Sequence, residues 1–133
     1  MTDTVQDTMT DSTIAEVVDA HLDAYGEPDG ARRRELVERA WATSGTLVDP
    51  PLDPATGHEA LSRLFGDVQA VYPGHTFRRT TAVDAHHRFA RYGWEMVGPD
   101  GTAVLAGTDV VELDADGRLA GVVGFFGDLP AAQ

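Results

Sequence analysis

TAVLAGTDVVELDADGRLAGVVGFF, residues Thr102–Phe126, contains two runs rich in Val, Leu and Phe, Ala103–Leu113 and Arg118–Phe126. They are joined by Asp114–Gly117, which ends in an Asp-Gly pair. An Asp-Gly pair between two apolar runs is a strong signal of a β-hairpin. The stretch therefore predicts two neighbouring antiparallel strands late in the chain.

A carboxylate, Asp109, lies in the middle of the first of these strands. Alternate residues of a strand share a face, so Asp109 lies with Leu105, Gly107 and Val111. If that face lines an apolar pocket, burial raises the pKa of the carboxyl group, which suits proton transfer. The alternative is an Asp on a solvent-exposed face, beside Thr108 or paired with an arginine.

Composition excludes several classes of function. The chain has 133 residues, enough for one domain with a single core. It has 22 acidic residues and 10 basic ones, which argues against a nucleic acid or an anionic membrane as partner. There is no Cys and no Lys, so thiol nucleophiles, thiolate metal sites and lysine Schiff bases are excluded. No cofactor is predicted.

The termini and the hydropathy predict where the chain resides. No apolar run approaches the ~20 residues that cross a bilayer. The N-terminus is polar and acidic and lacks the regions of a signal peptide, so the expected location is the cytoplasm. We expect residues 1–12 to be a disordered segment, residues 13–129 to be one domain, and residues 130–133 to be a tail.

Periodicity predicts three helices ahead of most of the strands. The first begins at Thr13, whose spacing to Glu16 fits a capping box, and the others cover about residues 31–43 and 58–72. The predicted strands are residues 46–49, 75–83, 86–97, 103–113 and 118–126. This order is typical of an α+β fold, in which the helices pack on one face of a strongly curved antiparallel sheet and form a cone.

A cone of this kind leaves a pocket between sheet and helices, where small molecules bind. Several large side chains are candidates for its wall, although each can also belong to the core. The predicted substrate-binding residues are Tyr25, Trp41, Leu64, Phe65, Tyr92, Trp94 and Val111. Phe125 and Phe126 point to opposite faces of a strand, so at most one of them lines the pocket. His86 and His87 are also predicted to face opposite ways, and no metal site is expected.

Three stretches carry a resemblance to a known family. They are VVDAHLDAYGEPD (Val17–Asp29), GTLVDPPLDPATGHEAL (Gly45–Leu61) and AGTDVVELDADGRLAGVVGFFGD (Ala106–Asp128). In element order and motif position the chain resembles the nuclear transport factor 2-like superfamily, which has a cystatin-like fold, in its SnoaL-like and ketosteroid isomerase-like branch. The resemblance implies a small molecule in the cone and a homodimer formed through the outer sheet surface.

The resemblance also implies catalytic residues. In ketosteroid isomerases the general base is the Asp of an Asp-Pro pair after the first short strand, the position of Asp49 here. A protonated Asp on a late strand holds the substrate oxyanion, and Asp109 has that position. A Tyr on the first helix completes the site; His21 stands in its place, and Tyr25, one turn later, is a possible substitute. Outside a site, Asp49 can cap a loop and His21 can be a core histidine.

Two functions follow from these residues. One is a cofactor-independent isomerase or polyketide cyclase-like enzyme that removes a proton α to a carbonyl of an apolar substrate. The other is a non-catalytic ligand-binding or assembly module, in which Asp109 is held structurally, for instance by Arg88 or Arg91. The limonene epoxide hydrolase pattern fits less well, because it needs an Arg and a second Asp where Gly107 and Gly124 stand.

Overall fold

The computed structural model describes residues 11–133, with side chains from Thr13 onward. It contains three helices, α1 (Asp11–Tyr25), α2 (Gly30–Ala40) and α3 (His58–Val71). Its strands are β1 (Trp41–Val48), β2 (Ala55–Thr56), β3 (Thr76–Arg79), β4 (Asp84–His86), β5 (Phe89–Val97), β6 (Ala103–Leu113) and β7 (Leu119–Phe126). No described helix is long and apolar enough to span a membrane.

The strands form one sheet in the order β2-β1-β7-β6-β5-β3, with β4 paired to β5. The α+β fold with three helices and one sheet is confirmed, but the sheet is mixed, since β1 runs parallel to β7. Every other pair is antiparallel. The parallel pair arises because the chain leaves β1 through α3, builds β3 to β6, and returns to β1 with its last strand.

The helices bury one face each, and their spacing explains why they form. In α1 the buried residues recur at helical intervals, from Ile14 through Val18 and Leu22 to Tyr25. The N-cap of α2 is Asp29, whose carboxylate accepts from the Arg32 backbone N–H. These apolar faces and the inner face of the sheet form the core.

The first helix begins two residues earlier than predicted. Asp11 and Ser12 belong to α1 and not to the disordered segment predicted for residues 1–12. The rest of that segment, residues 1–10, lies outside the described residues. Helix ends are uncertain by one or two residues in any assignment, so this difference changes nothing at the site.

The boundary between α2 and β1 differs more from the prediction. The helix ends at Ala40, and Trp41 already has extended backbone angles as the first residue of β1. Trp41 pairs with Leu119 of β7 and is completely buried. Pairing with a distant strand overrides the helical pattern of residues 41–43, which was read from local sequence alone.

The predicted strand over residues 86–97 begins at Phe89, as β5, and the first three residues of β5 belong to a hairpin with β4. The strand β4 ends at His86, and His87 has a positive φ of 53°, which turns the chain into β5. The His86 and His87 rings therefore contact each other edge to face, with their Nδ1 atoms 3.2 Å apart, so the prediction that they face opposite ways is wrong. No group of three His, Asp or Glu side chains in the described chain is placed to hold a metal ion.

Candidate active site

A cavity of about 410 Å³ lies between α1, α3 and the inner face of the sheet. Volumes of this order are typical of small-molecule sites. Pro50–Leu52, in the loop after β1, form part of the cavity wall. The lining side chains are mostly apolar: Leu22, Tyr25, Asp49, Pro50, Pro51, Leu52, Leu64, Asp67, Val68, Val71, Tyr72, Phe77, Trp94, Met96, Leu105, Asp109 and Phe126.

Asp49 lines this cavity just beyond the end of β1. Its Oδ2 accepts a 2.6 Å hydrogen bond from the Tyr25 hydroxyl of α1. Its Oδ1 is buried and has no hydrogen-bond partner among the described residues. Burial raises the pKa of Asp49, while the Tyr25 hydroxyl and, more weakly, the nearby Gly124 backbone N–H oppose the rise. One carboxylate oxygen is thus held by Tyr25, and the other is buried against Gly124.

Asp109 lies deeper, on β6, and is only 4% exposed. The Tyr92 hydroxyl donates to its Oδ2 at 2.7 Å, and Trp94 Nε1 donates to its Oδ1 at 3.0 Å. Burial raises the pKa of Asp109 to about 7, and the charge of Asp49 adds to the rise. The two hydrogen bonds oppose it. An acid with this pKa is available as a proton donor near neutral pH.

The two carboxyl groups face each other across Gly124 of β7. A Cβ added to Gly124 would lie within 3.0 Å of both Asp49 Oδ1 and Asp109 Oδ1. The two oxygens are therefore at most about 6 Å apart, a range over which like charges raise each other's pKa. The structure thus brings together the two aspartates that the sequence placed far apart.

His21 is not at the cavity. It is completely buried in the core, and Nδ1 accepts a hydrogen bond from Trp41 Nε1 at 3.2 Å. Burial lowers the pKa of His21 to about 3, so the ring is neutral. Its expected place in the site is taken by Tyr25, whose hydroxyl reaches Asp49 from one turn further along α1. Tyr25, which was predicted only as a substitute for His21, is therefore the α1 residue that contacts Asp49.

The predicted substrate-binding residues divide into two groups. Tyr25, Leu64 and Trp94 line the cavity. The others, Trp41, Phe65, Tyr92 and Val111, lie in the core instead. Tyr92 nevertheless contributes its hydroxyl to Asp109.

Several further residues line the cavity, and patterns in the sequence predict some of them. On α3, Leu64, Val68 and Val71 recur at helical spacing, so the stripe that contains Leu64 continues along the cavity. Phe126 lines the cavity and Phe125 is exposed, as their opposite faces on β7 predict. The loop residues Pro50–Leu52 carried no such signal, because loops lack periodicity.

Arg88 and Arg91, the two arginines suggested as partners of Asp109, form ion pairs with other residues. Arg88 binds Glu112 at 2.8 Å, and Arg91 binds Asp84 at 2.8 Å. These two arginines, given as examples of structural partners in the non-catalytic alternative, therefore do not hold Asp109. The partners of Asp109 are instead hydroxyl and indole donors, which leave the carboxyl group free to change its protonation state.

Neither a protein-family model nor a curated protein matches the sequence. Among solved structures, a SnoaL-like family protein from Agrobacterium tumefaciens, provisionally named an isomerase, is 34% identical, with a TM-score of 0.81. The alignment covers 88% of this chain and 99% of that one.

Two more distant structures show the fold alone. A protein from Jannaschia sp., provisionally named a SnoaL-like polyketide cyclase, is 15% identical, with a TM-score of 0.65. The match covers 86% of this chain and 85% of that one. A cystatin-like protein of unknown function from Methylobium petroleophilum is 16% identical, with a TM-score of 0.71, covering 92% and 80%. Because the Agrobacterium protein is matched over nearly its whole length at such identity, this chain belongs to the SnoaL-like family.

Proposed function

We propose that this protein is a cofactor-independent enzyme that removes a proton α to a carbonyl of an apolar substrate, acting as an isomerase or a cyclase. The observation that carries the proposal is the pair of carboxyl groups, at most about 6 Å apart in an apolar cavity. The names of the Agrobacterium and Jannaschia proteins, isomerase and polyketide cyclase, agree with this class of reaction.

Asp49 is the proposed base. Its carboxylate takes a proton from the carbon next to the carbonyl, and the electron pair of that C–H bond becomes the enolate. Asp109, in its protonated form, donates a hydrogen bond to the enolate oxygen. In an isomerisation the proton returns from Asp49 to another carbon. In a cyclisation the enolate carbon attacks a second carbonyl, whose oxygen then takes the proton.

The assignment of base and acid follows from the two environments. Asp49 is only partly buried and holds the Tyr25 hydrogen bond, which favours its charged form. Asp109 is almost completely buried and has the larger rise in pKa, to about 7. Two titratable groups whose surroundings separate their pKa values in this way can serve as base and acid in one site.

The proposal is tested by exchange of α-hydrogens for deuterium in heavy water, with a panel of cyclic ketones and both Asp49→Asn and Asp67→Asn. Asp67 is a matched control, since it also lines the cavity but is exposed. We expect Asp49→Asn to slow exchange of an accepted ketone by about 100-fold or more, and Asp67→Asn to change it by a few-fold. Exchange by Asp49→Asn within a few-fold of the native rate would refute the proposed base.

We further propose that the protein is a homodimer that associates through the outer face of the sheet. Val48 pairs with Val123, and Val123 with Val110, so these exposed side chains form a row across three strands, with the exposed Phe125 on the same face. Exposed apolar patches of this kind mark association sites.

Light scattering is expected to give twice the chain mass for the native protein and the single mass for Phe125→Arg. Leu129→Arg is the control, because Leu129 is 94% exposed and lies beyond the last strand. A native protein that is monomeric, or a Phe125→Arg variant that stays dimeric, would rule out this interface.

A further inference from the structure

Gly124 occupies an unusual place for a glycine, in the interior of β7 and directly opposite Asp109 in the β6–β7 ladder. Its φ is not among the positive values of the chain, so its backbone conformation does not require glycine. A glycine inside a strand weakens the strand, and it often marks a point where another group approaches closely. The group that approaches here is a carboxylate.

A side chain at position 124 would occupy the space that the site uses. The Asp49 carboxylate lies over the Gly124 Cα so closely that an added Cβ would overlap Oδ1, and Asp109 Oδ1 would be 3.0 Å from the same Cβ. The Asp49 carboxylate could not turn aside to avoid this Cβ without breaking its hydrogen bond, because Oδ2 is held by the Tyr25 hydroxyl. Any side chain here must therefore displace Asp49.

We infer that Gly124 is the positioning residue that sets the distance between Asp49 and Asp109, because the absence of a side chain leaves room for the Asp49 carboxylate. Its catalytic consequence rests on the proposed function, but the spacing itself does not. The strand lacks the packing of one side chain at this position. The Asp49 carboxylate, from the loop after β1, lies in the space that such a side chain would fill.

The same strand offers a matched control. A Cβ added to Gly121 would meet only the Thr46 backbone oxygen, at 3.8 Å, which is ordinary contact. Gly121 also lies in β7 and also has no positive φ. Gly121→Ala and Gly124→Ala therefore make the same chemical change in one strand, and only the second meets the carboxylates.

The steric part is tested by thermal unfolding of Gly124→Ala with and without Asp49→Ala. We expect Gly124→Ala to lower Tm by about 4 °C or more in the native chain, and by less than half as much when Asp49→Ala has removed the colliding carboxylate. Gly121→Ala should leave Tm nearly unchanged. An equal fall in Tm in both Asp49 backgrounds would overturn the inference, and the double variant gives a folded protein if Gly124→Ala alone does not fold.

The spacing is tested by NMR titration of the Asp109 carboxyl carbon, which a purely structural role of Gly124 would not affect. Asp49→Asn should lower the pKa of Asp109 in the native chain and in Gly121→Ala, because it removes a nearby negative charge. In Gly124→Ala the same substitution should shift it by less than half as much. Equal shifts in all three backgrounds would overturn the inference.

These outcomes are independent of turnover. If the spacing results hold while Asp49→Asn still exchanges deuterium at the native rate, the proposed base is wrong and the role of Gly124 in spacing stands. If Asp49→Asn abolishes exchange and the titration shifts are equal, the base stands and the role of Gly124 is wrong.

Discussion

The Tyr25 hydroxyl donates to Asp49 Oδ2 at 2.6 Å and so joins the end of α1 to the loop that follows β1. The Tyr25 ring lies between Phe65 and Phe77, with ring centroids 4.2 and 4.7 Å away. The hydroxyl is thus placed by the packing of the core rather than by the loop. A donor held in this way costs little reorganisation when Asp49 changes its charge.

Tyr25→Phe should move the acidic limb of the pH–rate profile to higher pH. The Tyr25 hydrogen bond lowers the pKa of Asp49, so its loss leaves the base protonated over more of the acidic range. Hydrogen bonds to charged groups contribute about 1.5–3 kcal/mol, so we expect a fall of roughly 10-fold or more in rate at acidic pH. Tyr72→Phe is the control, because Tyr72 lines the cavity but is half-exposed. It should leave the acidic limb of the profile unchanged.

Tyr92→Phe should act on the opposite limb. Activity is expected to fall as the pH rises through about 7, because Asp109 then loses the proton that it shares with the enolate oxygen. The Tyr92 hydroxyl stabilises the charged form of Asp109, so its removal raises the pKa of Asp109 and carries activity to higher pH. A basic limb that does not move in this variant would show that another group controls it.

Asp109→Asn should change how stability depends on pH. The pKa of Asp109 is raised to about 7 in the folded protein, above its ordinary value of 3.8. Between these values the folded state binds more protons than the unfolded state, so native stability falls as the pH rises through this window. We expect the variant to gain about 2–4 kcal/mol relative to the native protein between pH 4 and pH 8. Urea unfolding measures this, with the exposed Asp116→Asn as the control; parallel stability curves for the native protein and Asp109→Asn would contradict the prediction.

His21→Leu should reduce stability and spare catalysis. It leaves the buried Trp41 Nε1 without its acceptor, which costs about 1–3 kcal/mol, and the removal of the unpartnered His21 Nε2 offsets part of that cost. The rate of deuterium exchange should stay within a few-fold, since His21 does not line the cavity. A large fall in the exchange rate of His21→Leu, with no fall in stability, would show that His21 takes part in catalysis.

His21 should also contribute a decline in stability at acidic pH. Its pKa is about 3 when folded and 6.5 ordinarily, so between these values the unfolded state binds more protons. Native stability should therefore fall as the pH drops below 6.5, in the opposite direction to the effect of Asp109. The His21→Leu variant should lack this decline in urea unfolding measured from pH 7 to pH 4.

Local patterns were sufficient for much of the fold. The strand Ala103–Leu113 has the predicted bounds, and α3 ends one residue before its predicted end, because hairpin turns and helical periodicity are properties of short stretches. The parallel pairing of β1 with β7 has no local signal, and neither has the extended backbone of Trp41, which depends on Leu119. Both follow from contacts between segments that are far apart in the chain.

The candidate site was predictable in part for the same reason. The positions of Asp49 and Asp109 came from the resemblance to known proteins, and the alternation of β6 placed Asp109 on one face with Leu105. The choice between His21 and Tyr25 depends on how far α1 reaches over the loop, which no spacing in the sequence determines. The approach of Asp49 to Gly124 likewise exists only in three dimensions.

The parallel neighbours β1 and β7 have a consequence for how the site comes into being. Asp49 is synthesised well before β7, the strand that supplies the surface on which its carboxylate rests. Contacts of such long range form late and slowly, because a large loop must close first. In a nascent chain, Asp49 and Asp109 therefore stay apart until Leu119–Phe126 has docked, and the proposed proton transfer cannot occur before then.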